Sequence, residues 1–340
     1  MEFRKVERSE TRKIRVRLLE WYDLHRRTLP WRASRDPYPV WLSEIMLQQT
    51  RVAAVIAHYR EFLRRFPTVQ KLATARQSSV LAAWSGLGYY RRARMLHAAA
   101  KIVVREHGGE FPATAAALRE LPGIGRYTAA AIASIAFGEP VAVVDGNVER
   151  VLQRVSGKRL AGEDLWTAAD DLLDTNRPGD FNQAMMELGA VVCAPRAPGC
   201  LTCPLINLCA TRGELPGTPK PAPQKKRKVH YALNHRYGDR RTGEVFLVQR
   251  ERDAALMAGM WELPELADGN GAAKPLFTLQ HSITVTNYTV QVWHSSEGQS
   301  SEGQSSEPSR INGKWIPEER LGKLALTGLA RKILRRAEML

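Results

Sequence analysis

A long all-α domain followed by a smaller α+β domain is the fold class this sequence predicts, and three observations predict it. Apolar residues recur at helical spacing from residue 12 to residue 210. After a proline-rich stretch the period changes to two, the spacing of half-buried strands. All four cysteines fall at the end of the helical region, between Cys193 and Cys209.

The helical reading rests on residues 15–27, 39–66, 78–83, 91–107, 114–121, 127–137, 147–155, 165–176 and 180–192, each with helical apolar spacing or a high Ala and Leu content. Turn signals such as Leu121-Pro122-Gly123 and Arg177-Pro178-Gly179 punctuate them. This first domain is assigned to residues 1–212. A Pro-rich basic linker is assigned to residues 213–228; its prolines favour an extended chain. It ends in Lys225-Lys226-Arg227-Lys228, read as a solvated linker end suited to phosphates rather than an import signal. Residues 229–340 make the second domain, with strands expected over 244–250, 283–293 and 314–316 and a helix over 321–336. Between its strands a Ser-Ser-Glu-Gly-Gln repeat, residues 295–307, is expected to be a disordered polar loop.

The 340 residues are 44% hydrophobic, enough for a sizeable core. The formal net charge of +15 points to an anionic partner, of which nucleic acid is the commonest. Residues 1–11 are charged and lack an apolar segment, so no secretory leader is expected there. No stretch approaches the ~18 apolar residues of a membrane span. A cytoplasmic, nucleoid-associated monomer without membrane contact is the expectation. In a reducing compartment the four cysteines are ligands rather than disulfides.

Cys193, Cys200, Cys203 and Cys209 have six, two and five residues between them. Thiolates suit zinc or iron–sulfur. Structural zinc usually takes two close Cys pairs separated by a longer loop. Here only Cys200 and Cys203 form such a pair, so a compact wrap around a larger cluster fits better. Arg196 in the same loop could meet a phosphate.

Leu121-Pro122-Gly123-Ile124-Gly125 joins two helices, and Gly123 and Gly125 permit a tight turn and close approach of a partner. The following helix begins near Arg126–Tyr127 and leaves free N–H groups that suit phosphate. Asp145 precedes another helix; alone it would be an N-cap. Glu44, alone, would be the first-turn acid of a helix capped by Ser43. Its helical neighbours Leu47, Gln48, Arg51 and Val55, with Ile45 and Met46, instead describe a semi-apolar pocket that would keep the carboxyl protonated near neutral pH. Gln48, Gln49 and Thr50 follow, with side chains able to fill the space of an extruded base or bond base edges. In Gly86-Leu87-Gly88-Tyr89-Tyr90, followed by three arginines, the glycine flanks suggest an exposed wedge.

Three segments together resemble a known family: Trp41-Leu-Ser-Glu-Ile-Met-Leu-Gln-Gln-Thr50, Leu121-Pro-Gly-Ile-Gly-Arg-Tyr-Thr-Ala129 with Val144-Asp-Gly-Asn147, and the cysteine spacing. They resemble the MutY family of adenine DNA glycosylases, within the helix-hairpin-helix iron–sulfur superfamily. The resemblance implies an all-α helix-hairpin-helix glycosylase domain with a [4Fe–4S] loop on the four cysteines, and an α+β nudix-like C-terminal domain. It implies hydrolysis of adenine from duplex DNA mispaired with 8-oxoguanine or guanine. Glu44 would be the acid toward N7 of adenine, and Asp145 the nucleophile or cation stabiliser; Tyr127 and Asn147 would belong to the same catalytic group. Bifunctional relatives carry a nucleophilic lysine at the position of Tyr127; tyrosine cannot form a Schiff base, so a monofunctional enzyme is implied. Arg32, in Leu29-Pro-Trp-Arg32, joins the expected DNA- and substrate-binding residues. Leu87 and Tyr89 would enter the DNA stack. Met257-Ala-Gly-Met-Trp-Glu-Leu-Pro-Glu265 resembles the nudix-like domain, without the acidic helix that a nucleotide-cleaving enzyme would show. Where relatives read the opposite strand with Phe-Ser-His, this chain has Leu279-Gln280-His281-Ser282, so Gln280 or Ser282 would supply the polar contact beside His281.

Overall fold

Prolines and single left-handed residues cut the N-terminal region into more helices than periodicity marks. The computed structural model describes residues 8–215, 224–237, 243–251, 253–254, 257–267, 274–283, 286–294 and 313–340; the repeat at 295–307 and the linker prolines at 216–223 lie outside them. The helices before the cysteines are α1 (Arg8–His25), α2 (Pro37–Leu47), α3 (Val52–Arg65), α4 (Val69–Thr74), α5 (Gln77–Trp84), α6 (Arg91–His107), α7 (Ala115–Leu118), α8 (Arg126–Ile132), α9 (Gly146–Ser156), α10 (Gly162–Leu172) and α11 (Pro178–Val191). Among them none is long and apolar enough to cross a membrane.

The single helix expected over residues 39–66 is two. Gln49 takes a left-handed φ of 55°, through which a right-handed helix cannot continue. α2 starts at Pro37, whose missing N–H is no loss in a first turn, and Asp36 caps it by accepting from the Tyr38 N–H at 2.9 Å. Ser43 is therefore not a cap. It sits in the helix body, its hydroxyl bonded to the Val40 carbonyl at 2.8 Å, and Glu44 lies near the C-terminal end.

The Leu121–Gly125 turn precedes α8. Gly123 has a φ of +78°, and a Cβ there would sit 2.5 Å from Met95 Cβ. The turn thus needs glycine for its backbone and for its packing. α8 widens into a π turn at Ala133–Phe137, where Gly179 of α11 packs so closely that an added Cβ would lie 2.6 Å from the Ser134 carbonyl oxygen. Leu18 and Tyr22 of α1, Val151 and Leu152 of α9, Leu165 of α10, and Phe181, Met185 and Leu188 of α11 share one core. Each such burial is worth roughly 1.5–3 kcal/mol.

Two compact units result. One holds Met1–Thr74 and Met95–Lys220; the other joins Ala75–Arg94 to Pro221–Leu340. Residues 75–94, read as part of the helical domain, thus belong with the C-terminal unit. Ser85 Oγ and Tyr90 OH both donate to the Leu326 carbonyl, at 2.9 and 3.0 Å, and Arg331 donates to Ser85 Oγ at 2.9 Å. These long-range bonds are invisible to local periodicity.

The strands of that unit are β1 (Lys225–Leu233), β2 (His235–Tyr237), β3 (Gly243–Gln249), β4 (Trp261–Glu262), β5 (Glu265–Leu266), β6 (Phe277–Ile283), β7 (Thr286–His294) and β8 (Gly313–Pro317); α12 (Glu318–Leu321) and α13 (Gly328–Arg336) follow. One sheet runs β5-β1-β7-β6, with β1 parallel to β7; the other runs β2-β3-β4, with β8 also on β3. Val229, Val245, Leu247, Val290 and Val292 meet Leu329, Ile333 and Leu334 of α13 in the core. The α+β expectation holds. The basic run Lys225–Lys228 is the first half of β1, in register with Thr286–Thr289, rather than linker. Pairing with β7 overrides the weak strand preference of lysine.

Candidate active site

The end of α2 delivers Glu44 into a closed, apolar setting. It is 6% exposed, between buried Ser43, Ile45 and Met46. Burial pushes its carboxyl from the ordinary 4.5 up to about 7; Asp145 adds to the rise, while the Tyr127 hydrogen bond and Arg32 oppose it. Tyr127 stands in the first turn of α8; its hydroxyl donates to Glu44 Oε2 at 2.8 Å, and Met186 Sδ lies 3.2 Å from that hydroxyl. Burial, then the charges of Glu44 and Asp145, hold the phenol well above its usual range, so it remains a neutral donor.

Asp145 is the N-cap of α9. Its Oδ1 accepts from the N–H groups of Asn147 and Val148 at 2.9 and 2.8 Å, and its Oδ2 accepts from Asn147 Nδ2 at 2.9 Å. These three bonds fix the orientation of the carboxyl group. Asn147 is held in turn: its Oδ1 accepts from Arg150 at 2.8 Å. Arg150 also donates to the Gly189 and Cys193 carbonyls, at 2.6 and 2.7 Å, which ties the cap to the start of the cysteine loop. Gly189 of α11 faces Asn147 so closely that a Cβ would lie 2.5 Å from Asn147 Cβ and 2.9 Å from its carbonyl oxygen. Gly189→Ala is expected to cost about 1–3 kcal/mol by overpacking. Thermal unfolding reads this as a midpoint lowered by several degrees; an unchanged midpoint contradicts it.

Arg32 is brought to the same region by an acid that sequence reasoning missed. Glu187 of α11 is 1% exposed and binds Arg27 at 2.7 Å and Arg32 at 2.8 Å. Burial works against its charge, but the two arginines outweigh it and hold the carboxyl down at about 2. The available signal was an acid on the buried stripe formed by Phe181, Ala184, Met185 and Leu188. Gln48, Gln49 and Thr50 are divided. Gln48 turns inward and donates to Thr128 Oγ1 at 3.1 Å, the Thr50 hydroxyl bonds the Gln48 carbonyl, and only Gln49 is fully exposed, on its left-handed backbone. Gly123 and Gly125 are exposed at the hairpin.

The four cysteines line one pocket, together with Arg154 and apolar side chains including Val151 and Leu205. Arg154 is buried and donates to Cys193 Sγ at 3.3 Å and to the Ala194 and Pro195 carbonyls at 2.7 and 3.0 Å. Burial pushes the Cys203 thiol up to about 11. Among the described residues no three His, Cys, Asp or Glu side chains stand together as a single-ion site. A soft donor set spread around a cavity, with a buried cation beside it, fits a polynuclear, negatively charged thiolate centre.

In the second unit, Tyr89 is 45% exposed with a left-handed φ of 46°, its ring under the Arg92 guanidinium at 5.4 Å. Leu87 departs from expectation. It is 5% exposed and its N–H bonds the Trp84 carbonyl at 3.1 Å, so the loop turns it inward. Gln280, His281 and Ser282 all lie in β6, where successive side chains alternate between faces. Gln280 and Ser282 are exposed together, whereas His281 points to the other face, and burial followed by the Lys332 charge lowers its pKa. The strand therefore does not present all three to one partner.

Residues 42–161 match the HhH-GPD superfamily of base excision DNA repair proteins. The chain is 50% identical to the human adenine DNA glycosylase over 219 residues, 60% of this chain and 40% of that protein. It is 32% identical to the adenine DNA glycosylase of Schizosaccharomyces pombe over 325 residues, 76% of this chain and 70% of that protein. The chain spans about half the length of the mammalian relatives it matches, between 40% and 60%. Among solved structures, a thermostable thymine-DNA glycosylase superposes with a TM-score of 0.57 at 31% identity, covering 60% of this chain and 97% of that one.

Proposed function

We propose, for a chain that belongs to the adenine DNA glycosylase family, that it hydrolyses the N-glycosidic bond of adenine mispaired with 8-oxoguanine or guanine in duplex DNA, without strand-cleaving lyase chemistry. The observation that carries this reading is the buried Glu44 carboxyl bonded to Tyr127. Adenine is a poor leaving group until protonated. With Oε2 accepting from Tyr127, Oε1 of Glu44 is the atom that would carry the proton to N7. The C1′–N9 bond then breaks and its electron pair leaves with adenine. Asp145, oriented by three N–H donors, faces the cation left at C1′. Water adds at C1′ and returns its proton to Glu44. Tyr127 stands where a lyase needs an amine, which supports the monofunctional reading.

Exposed Gly123 and Gly125 let the hairpin backbone approach DNA, and Tyr89, exposed among arginines, suits the role of wedge. Preference for 8-oxoguanine rests on the family and on the C-terminal unit. The alternation in β6 favours Gln280 and Ser282 over His281 as polar contacts on its open face.

Cys193, Cys200, Cys203 and Cys209 are the ligands we assign to a [4Fe–4S] cluster, supported by the shared cavity and by Arg154. These cysteines would hold the cluster beside α9, whose Arg154 donates to Cys193 Sγ, and just past the end of α11. Purified protein should carry about four iron and four sulfide per chain, and Cys203→Ala should lose both; stoichiometric zinc in place of iron would overturn the assignment.

The test of function is a duplex panel with adenine opposite 8-oxoguanine, adenine opposite guanine, and thymine opposite guanine. Free adenine should appear from the first two and no thymine from the third. Release of thymine alone would transfer the chain to the chemistry named for its structural neighbour.

A further inference from the structure

The basic run that opens β1 has a strand phase, and the phase sorts its charges. In the register of β1 with β7, Lys226 pairs with Asn287 and Lys228 with Thr289; across β7, Asn287 pairs with Ser282 and Thr289 with Gln280. These residues share one face of the sheet, because alternate side chains along a strand point the same way. Lys225 and Arg227, in line with Val229, share the opposite face, where Val229, Val290, Leu279 and Tyr288 enter the core.

The Lys226 face is polar and prearranged. Ser282 Oγ donates to Asn287 Oδ1 at 2.5 Å, Asn287 Nδ2 to Gln224 Oε1 at 2.6 Å, and Gln280 Nε2 to Thr289 Oγ1 at 3.2 Å. Lys226, Lys228, Gln280 and Ser282 are exposed there. No aspartate or glutamate occurs in β1, β6 or β7. Alongside Lys225–Lys228, β1 has no described partner on its side away from β7, since β5 pairs only at His230 and Tyr231.

We propose that this face docks the phosphate backbone of duplex DNA, with Lys226 and Lys228 as phosphate contacts and the amide–hydroxyl ladder as neutral donors and acceptors beside them. The inference rests on the DNA-acting reading above and adds a site to it. Charge complementarity selects the occupant: two cations, no anion and fixed polar groups suit a polyanion. The exposed side chains include no aromatic anchor, as a protein interface or base stacking would require.

The test compares two double variants that remove the same charge. Lys226→Ala/Lys228→Ala clears the open face; Lys225→Ala/Arg227→Ala clears the opposite one. The probe is a duplex with adenine opposite 8-oxoguanine, bound by the intact holoprotein and followed by anisotropy over about 50–200 mM salt. Each phosphate contact contributes about 0.9 to the slope of log K against log salt, so the first variant should lose about 1.8 and the second less than half of that. Single-turnover adenine release at saturating protein should stay at the wild-type rate in both. Equal losses in the two variants, or no loss in the first, would overturn the proposal while leaving the glycosylase reading intact. Absence of adenine release from the wild type, with the slope difference retained, would overturn the activity and leave the docking face.

Discussion

Glu44→Gln should lower single-turnover adenine release by about 10²–10⁴-fold, the usual range for loss of a positioned general acid, while duplex affinity stays within a few-fold of wild type. The amide keeps the shape and can still accept from Tyr127, but it has no proton for N7. The same residue sets the pH dependence. The acid form exists below about 7 and is lost above it, so release should be flat at lower pH and fall as pH rises through 7. Stability should also fall as pH rises, over the window between the two values. A carboxyl raised from 4.5 to about 7 in the folded state costs nothing below pH 4.5, where both states are protonated. The cost grows as pH rises toward 7 and levels off at about 3 kcal/mol. Glu44→Gln should therefore match wild type in thermal unfolding near pH 4.5 and exceed it by several degrees at pH 8. Equal midpoints at both pH values would mean that Glu44 is not held as an acid by burial.

Asp145→Asn should cost about 10²–10³-fold in the same assay, the loss seen when one preorganised electrostatic contact to developing charge is removed. The substitution separates chemistry from structure. Asparagine is as good an N-cap as aspartate, so the bonds from the Asn147 and Val148 backbone N–H groups can persist while the one from Asn147 Nδ2 is lost, and the unfolding midpoint should stay close to wild type. Asp145→Ala adds about 1 kcal/mol of lost capping to the same loss of rate. Asp145 also raises the Glu44 pKa. Neutralising it should move the alkaline fall in the residual rate to lower pH. An Asp145→Asn enzyme with near wild-type rate would reduce Asp145 to a cap.

Both carboxylates were legible in the sequence because their neighbours carried chemistry: apolar residues around Glu44, and a glycine hairpin upstream of Asp145. The cysteines were legible because thiolates so closely spaced have few structural uses. What stayed hidden was set by tertiary contacts. Nothing in the periodicity of residues 39–66 reveals that Gln49 is left-handed, yet α2 ends just before it, at Leu47, three positions after Glu44. Glu187 looks like one acid on a helix until Arg27 and Arg32 arrive from the other end of the chain. Strand phase was equally opaque. Gln280, His281 and Ser282 read as one loop motif, and only pairing with β7 sends His281 to the far face. Leu87 beside Tyr89 reads as a wedge pair, and only the Trp84 bond and packing turn it inward.

The most direct measurement of the central claim is the pH profile of adenine release from a duplex with adenine opposite 8-oxoguanine, under single turnover, by wild type and Glu44→Gln side by side. The account predicts release by wild type with a fall above pH about 7, and a residual rate in the variant without that fall. Failure of the wild type to release adenine, or a variant with wild-type rate and profile, would contradict it.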